Sequence, residues 1–117
     1  MAVADKLQLK PGQQVAVLHA PDGFDLGSAH DAADDPAGAD ALVLFVTRRS
    51  ELEERGGPLV AAARRDALAW VAYPKAGQLG TDLNRDTLAE LLTAQGIRAV
   101  RQISIDDVWS ALRFRPA

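Results

Sequence analysis

The stretch Ala41-Leu-Val-Leu-Phe-Val46 decides the fold, because every residue in it is apolar. A strand with one face in water alternates apolar and polar residues, whereas a strand covered on both faces does not. We therefore predict that Ala41 to Val46 is the central strand of a sheet with protein packed against both of its faces.

Two further apolar segments are predicted as buried strands of the same sheet. Gln14 to His19 lies between Pro11-Gly12 and Pro21-Asp22-Gly23, and clusters of proline and glycine mark turns at strand ends. Leu68 to Tyr73 is followed by Pro74, which favours extended backbone at the residue before it.

Helical signals separate these strands. Ser50 and Glu53 have the spacing of a capping box, in which a hydroxyl and a carboxylate bind free amides at the start of a helix. Gly56-Gly57-Pro58 interrupts the apolar positions that follow, and proline is well tolerated as the first residue of a helix. A broken helix that ends near Arg65 is therefore predicted.

Another helix is predicted after the third strand. Asp82 or Asn84 is the expected N-terminal cap, and Gly96 is placed to end the helix in the left-handed conformation. The apolar stripe of this helix consists of Leu83, Leu88, Leu91 and Leu92.

The segment between the first two strands, Asp25 to Asp40, gives a weaker signal. It is acidic, rich in small residues and interrupted by glycine and proline, so no more than one or two helical turns are predicted there. The apolar positions of these turns are Leu26, Ala29 and Ala33.

The C-terminal part of the chain predicts a hairpin. Val100 to Ile105 and Ser110 to Arg115 alternate apolar and polar residues, as half-exposed strands do. Strands separated by helices imply parallel pairing. We therefore predict one α/β domain over residues 1–117, a small three-layer Rossmann-like fold. Its sheet is expected to be mostly parallel, with about five strands and a C-terminal antiparallel hairpin.

Composition and charge limit the possible functions. The chain has 117 residues, of which 48% are hydrophobic and 25% charged, as in an ordinary globular domain. Thirteen basic and 16 acidic residues give a net charge of −3 and a pI near 5.2, which argues against nucleic acid as a partner. With no cysteine and two histidines, no metal site is expected.

Signals for secretion and membrane insertion are missing from the sequence. The first ten residues contain no apolar run of signal-peptide length. No stretch approaches the ~20 apolar residues that span a bilayer. We expect a cytoplasmic protein with no membrane partner.

Polar residues follow each predicted strand. Ligands of open α/β sheets bind beyond the carboxyl ends of the strands, and residues that follow parallel strands meet at that edge. No catalytic residue is assigned. The candidate ligand-binding residues at this carboxyl edge are His19, Asp22, Arg48, Arg49, Ser50, Lys75, Asp82, Asp106 and Trp109.

Two hypotheses explain the cations among these residues. In the first, Arg48, Arg49 and Lys75 hold a small anionic ligand, and free amides at Ser50 assist because helix starts favour negative charge. In the second, the same cations pair with nearby aspartates such as Asp107 and only fasten loops. The second arrangement is the commoner one for charged surface residues.

Trp109 and His19 each allow two interpretations. Trp109 either covers a ligand or closes the core beside the hairpin. The imidazole of His19 can act as a general base. A lone histidine after a buried strand more often has a structural role, which is the interpretation we favour.

Sequence motifs for cofactors are missing. The turn His19-Ala-Pro-Asp-Gly-Phe24 is not a G-x-G-x-x-G dinucleotide loop, and Lys75-Ala-Gly-Gln-Leu-Gly-Thr-Asp82 lacks the residue order of a P-loop. No G-x-S-x-G elbow indicates a hydrolase. We therefore expect no cofactor.

Three segments carry a family resemblance: Trp70-Val-Ala-Tyr-Pro-Lys75, Thr81-Asp-Leu83 and Asp106-Asp-Val-Trp-Ser-Ala-Leu-Arg-Phe114. From Val15 onward the chain resembles a family of small bacterial domains of unknown function. Their strand order is similar to a shortened, degenerate class I methyltransferase fold. The resemblance implies a Rossmann-like fold without an assigned activity. The glycine-rich loop and the ribose-binding acid of methyltransferases are missing here, so it implies no methyl donor.

Three functions remain open at this point. The favoured one is a non-catalytic α/β domain that acts through protein contacts and self-associates into a homo-oligomer. The exposed edge of the hairpin offers a pairing surface, which Arg101, Arg113 and Arg115 can instead keep unpaired. The second is a module that binds an anionic metabolite at the carboxyl edge through Arg48 and Lys75. The third is an enzyme that uses the same crevice.

Overall fold

The computed structural model describes residues 3–10, 12–24, 31–32, 35–75 and 77–117, with the backbone alone at 31–32. The helical turns predicted around Leu26, Ala29 and Ala33 fall on residues outside these ranges. No helix in the described ranges is both long and apolar enough to cross a membrane. The helices are α1 (Val3–Lys6), α2 (Arg49–Arg55), α3 (Gly57–Arg64) and α4 (Arg85–Thr93), with a 3-10 turn at Pro36–Gly38.

One mixed sheet forms the centre of the fold. Its five longer strands are β1 (Gln14–Leu18), β2 (Ala41–Phe45), β3 (Leu68–Pro74), β4 (Ile97–Ser104) and β5 (Trp109–Pro116). Their order in the sheet is β1-β2-β3-β5-β4, and the two-residue strand Asp31–Ala32 pairs with the outer edge of β1. β1, β2 and β3 are parallel, whereas β5 is antiparallel to both β3 and β4.

The prediction of a three-layer Rossmann-like fold with a mostly parallel sheet is wrong. Of the four pairings between the five longer strands of the described chain, two are parallel and two are antiparallel. The cause is the position of β5, which lies between β3 and β4. Most of β5 is buried on both faces and so belongs inside the sheet, whereas β4 is mostly exposed and takes the edge.

Within the described residues, only one face of the sheet carries a layer of longer helices. On this face Leu52, Leu59 and Leu88, one from each of α2, α3 and α4, join a single buried cluster. Leu44 of β2 and Val71 of β3 are among the residues that the sheet contributes to this cluster. Burial of these leucines stabilises the helices, which are too short to be stable alone.

The opposite face is covered by the N-terminal segment. Leu7 is fully buried there against the face that carries Phe45 and Trp70. The indole N–H of Trp70 donates a 2.9 Å hydrogen bond to the carbonyl oxygen of Leu7. A four-residue helix and the turn after it thus take the place of the second helix layer that was predicted. The sequence around Leu7 and Leu9 does not predict this packing on the sheet, because the two residues are isolated apolar positions without helical periodicity.

The break between α2 and α3 is at Gly56-Gly57-Pro58, where the sequence predicted it. The Gly56 N–H donates a 2.9 Å hydrogen bond to the carbonyl oxygen of Leu52, and α3 begins at Gly57. A Cβ on Gly56 would lie 2.5 Å from that oxygen, whereas a Cβ on Gly57 would meet nothing within 4 Å. The tight junction therefore requires glycine at position 56 but not at 57.

We predict that Gly56→Ala lowers the free energy of unfolding by roughly 1–3 kcal/mol, because its methyl group must displace the Leu52 carbonyl. Gly57→Ala is the matched control. It should be neutral or should stabilise by about 0.4–1 kcal/mol, since alanine restricts the unfolded chain. Urea unfolding followed by circular dichroism measures both, and equal losses in the two variants would contradict the steric explanation.

Candidate functional site

The first group of predicted site residues surrounds the start of α2. Arg48 is the N-terminal cap residue, and Arg49 and Ser50 open the helix. Asp82, from the loop before α4, accepts a 2.9 Å hydrogen bond from the backbone N–H of Arg49. An amide of the first helical turn is therefore already bonded to a carboxylate of the chain itself.

The predicted capping box at Ser50 and Glu53 is wrong, because the helix begins one residue before Ser50. The carboxylate of Glu51 accepts a 2.6 Å hydrogen bond from the backbone N–H of Thr47. Together with Asp82, Glu51 supplies the negative charge that the start of a helix favours. The cap of α4, in contrast, is Asn84, one of the two candidates predicted.

The second group of predicted site residues lies at the turn between β4 and β5. The Lys75 ammonium donates a 2.8 Å hydrogen bond to the Ser104 hydroxyl. One carboxylate oxygen of Asp106 accepts 2.8 Å hydrogen bonds from the backbone N–H groups of Val108 and Trp109. These contacts close the hairpin turn and join it to the end of β3.

The remaining predicted site residues lie apart from these two groups. His19 is exposed at the end of β1 with a φ of 59°, and Asp22 is exposed in the turn after it. Among the described residues, no ion pair or hydrogen bond connects either side chain to Arg48 or Lys75. Trp109 is 8% exposed, and its ring packs edge-on to Phe45 in the core with a centroid distance of 5.1 Å.

The hairpin carries a cluster of arginines that was not among the predicted site residues. Arg98 is paired with Arg115 and Arg101 with Arg113 across the two strands. Residues paired across antiparallel strands project from the same face of a sheet. At the end of the hairpin that is closer to its turn, α1 covers the same face of the sheet. We name these four residues the arginine face.

A β-bulge at Val100 places the four arginines on the same face of the sheet. The register shifts between Ala99 and Arg101, which leaves Val100 as an extra residue in β4. Side chains of a regular strand alternate between faces, so Arg98 and Arg101 would project to opposite sides of an unbulged strand. The extra residue brings both arginines to one face.

The charge of the arginine face is only partly compensated within the described residues. Arg115 donates two 2.9 Å hydrogen bonds to Asp66, and this pairing holds the pKa of the Asp66 carboxyl below its ordinary value. Burial and then the nearby Arg115 lower the pKa of Arg113. One Nη of Arg113 donates to Gln8 at 3.0 Å, whereas its Nε is buried without a partner.

Arg98 and Arg101 have the fewest internal contacts of the four. Both are exposed, and the Arg98 side chain donates only a 3.3 Å hydrogen bond, to the carbonyl oxygen of Pro116. The Arg101 side chain makes no hydrogen bond or ion pair with any residue that the structure describes. Most of the hydrogen-bond donors of these two guanidinium groups therefore face solvent.

No model of a known protein family matches the chain, and no curated protein matches it significantly. The family resemblance drawn from the three sequence segments therefore stays a prediction.

We predict that Asp82→Ala lowers the free energy of unfolding by about 0.5–2 kcal/mol, because an amide at the start of α2 loses its acceptor. Asp107→Ala is the matched control at an exposed position of the hairpin turn, and it should change stability by less than about 0.5 kcal/mol. Urea unfolding compares the two. A loss in Asp82→Ala no greater than in the control would show that this contact does not stabilise the helix.

Proposed function

We propose that the chain is a non-catalytic interaction domain that binds a carboxylate-rich protein surface through the arginine face. The observation that carries this proposal is the bulge at Val100, which gathers four like charges on two paired strands. Like charges directly opposite each other destabilise a sheet. An external partner with negative charge would remove that cost.

The chemistry of the cluster favours carboxylates. Guanidinium is planar and permanently charged, and its fork of N–H donors matches the two oxygens of a carboxylate. The contact between Arg115 and Asp66 already has this two-bond form. Arg98 and Arg101 have free donors for the same kind of contact with a partner.

A protein partner fits this surface better than single-stranded nucleic acid. Proteins that bind single strands stack the bases on exposed aromatic rings. The chain has six aromatic residues, and none of them is exposed. They are Phe24, Phe45, Trp70, Tyr73, Trp109 and Phe114.

The carboxyl edge supports the alternative function, binding of an anionic metabolite, less well. The Arg49 amide there binds Asp82, and the Lys75 ammonium binds Ser104. A ligand at this edge would have to displace or share these contacts. A partner that binds the side chain of Arg101 on the arginine face would displace no such contact.

The test is a fluorescence anisotropy titration of a labelled oligoglutamate peptide with the protein. The wild type should bind, and binding should weaken as salt is raised towards about 0.15 M, because exposed charges are screened. Arg101→Glu should weaken binding roughly tenfold at low ionic strength, since it replaces an attraction with a repulsion.

Arg85→Glu is the matched control for this titration, because Arg85 is exposed on α4 and undergoes the same change in charge. It should leave the affinity nearly unchanged. An equal loss in both variants would mean that only net charge matters. Tighter binding of single-stranded oligouridylate than of oligoglutamate would overturn the choice of a protein partner, and the absence of any binding would overturn the proposal.

A second variant should act in the opposite direction. Asp66→Asn removes the carboxylate that pairs with Arg115, so affinity for oligoglutamate should rise about two- to fivefold at low ionic strength. Asp86→Asn, at an exposed position of α4, is its control and makes the same change in charge elsewhere. An unchanged affinity of Asp66→Asn in the same titration would show that Arg115 takes no part in binding.

A further inference from the structure

We infer that the carboxylates bound by the arginine face can be supplied by a second copy of this chain, whose helix layer receives the β4 edge in an acid-rimmed cleft. This inference rests on the proposed function and names a partner for it. Both halves of the contact lie on the described surface of one molecule.

The cleft lies between α2–α3 and α4 and has a volume of about 610 Å³. Leu52, Val60 and Leu91 give it an apolar lining, and Gly56 and Gly57 line it at the helix junction. A volume of this size falls in the range of about 300–1,000 Å³ that is usual for binding pockets. The cleft therefore has room for side chains from another molecule.

Two carboxylates stand on the rim of the cleft, those of Glu53 in α2 and Glu90 in α4. Both residues are exposed, and neither carboxylate makes an ion pair or hydrogen bond with the described residues. Arg64, the cation of the lining, is bonded to the carbonyl oxygen of Gln95. The two carboxylates outnumber this cation, so the lining of the cleft has a net negative charge beside its apolar residues.

The β4 edge has the complementary composition. Val100 is 38% exposed at the bulge, one of two large exposed hydrophobic side chains in the described chain. Arg98 and Arg101 flank it in the sequence with mostly free donors. An exposed apolar residue between two cations matches an apolar cleft between two carboxylates, and the hydrocarbon stems of the arginines add apolar contact.

The contact would join two different surfaces, so each copy would keep one free arginine face and one free cleft. Such heterologous contacts either close into rings or continue as open chains. They would also cover an edge strand, which otherwise presents unpaired backbone groups to other chains. Association should therefore increase steadily with protein concentration and decrease with added salt.

Sedimentation velocity over a concentration series tests the inference. The wild type should show a sedimentation coefficient that rises with concentration, whereas Arg101→Glu and Glu90→Arg should each stay monomeric. An equimolar mixture of the two variants should associate again. The intact cleft of one variant can then bind the intact arginines of the other, and the exchanged charges attract as well.

The controls make the same changes in charge outside the two surfaces. Arg85→Glu and Glu54→Arg, both at exposed helix positions outside the cleft lining, should associate like the wild type. Circular dichroism checks that every variant is folded.

A monomeric wild type at all concentrations would overturn the inference. So would a mixture that does not associate, or variants that associate as well as the wild type. Binding of oligoglutamate is a separate readout. If it persists in a monomeric wild type, the proposed function stands without self-association, and if it is lost, both fail.

Discussion

The burial of β5 on both faces is the constraint on which the rest of the structure depends. Trp109 to Leu112 contact protein on either side, so this strand has to lie inside the sheet, between β3 and β4. As a result β4 occupies the edge, with many of its side chains in water. Arg98, Arg101 and the bulge at Val100 are at the edge of the sheet for this reason.

The apolar runs predicted the interior strands well, because burial on both faces leaves a local mark on the sequence. The strands that begin at Gln14, Ala41 and Leu68 start where they were predicted. The strand order was not predicted, because Arg113 and Arg115 give the last strand the alternating polar and apolar pattern of a half-exposed strand. Its place depends on contacts with residues far away in the sequence, which a local pattern does not contain.

Prediction of the site residues was limited by the same dependence on contacts between residues that are distant in the sequence. Polar residues do gather at the carboxyl edge, but Asp82 binds the amide of Arg49, 33 positions earlier in the chain, and no local pattern indicates that pair. The arginine face was not predicted for a different reason. Regular alternation separates Arg98 from Arg101, and only the bulge brings them together. The one available sign was composition, since four of the 13 basic residues fall in the hairpin.

The net charge of −3 does not describe how charge is distributed over the surface of this molecule. At physiological ionic strength charges are screened over about 8 Å, so a partner responds to the local surface rather than to the whole chain. The fold places four arginines on the hairpin, while Glu53 and Glu90 lie on the helix layer. An acidic total therefore does not oppose binding of an acidic partner. Glu53 and Glu90 provide a complementary surface on the same molecule, so the proposed binding of carboxylates and the proposed contact between copies rest on the same distribution of charge.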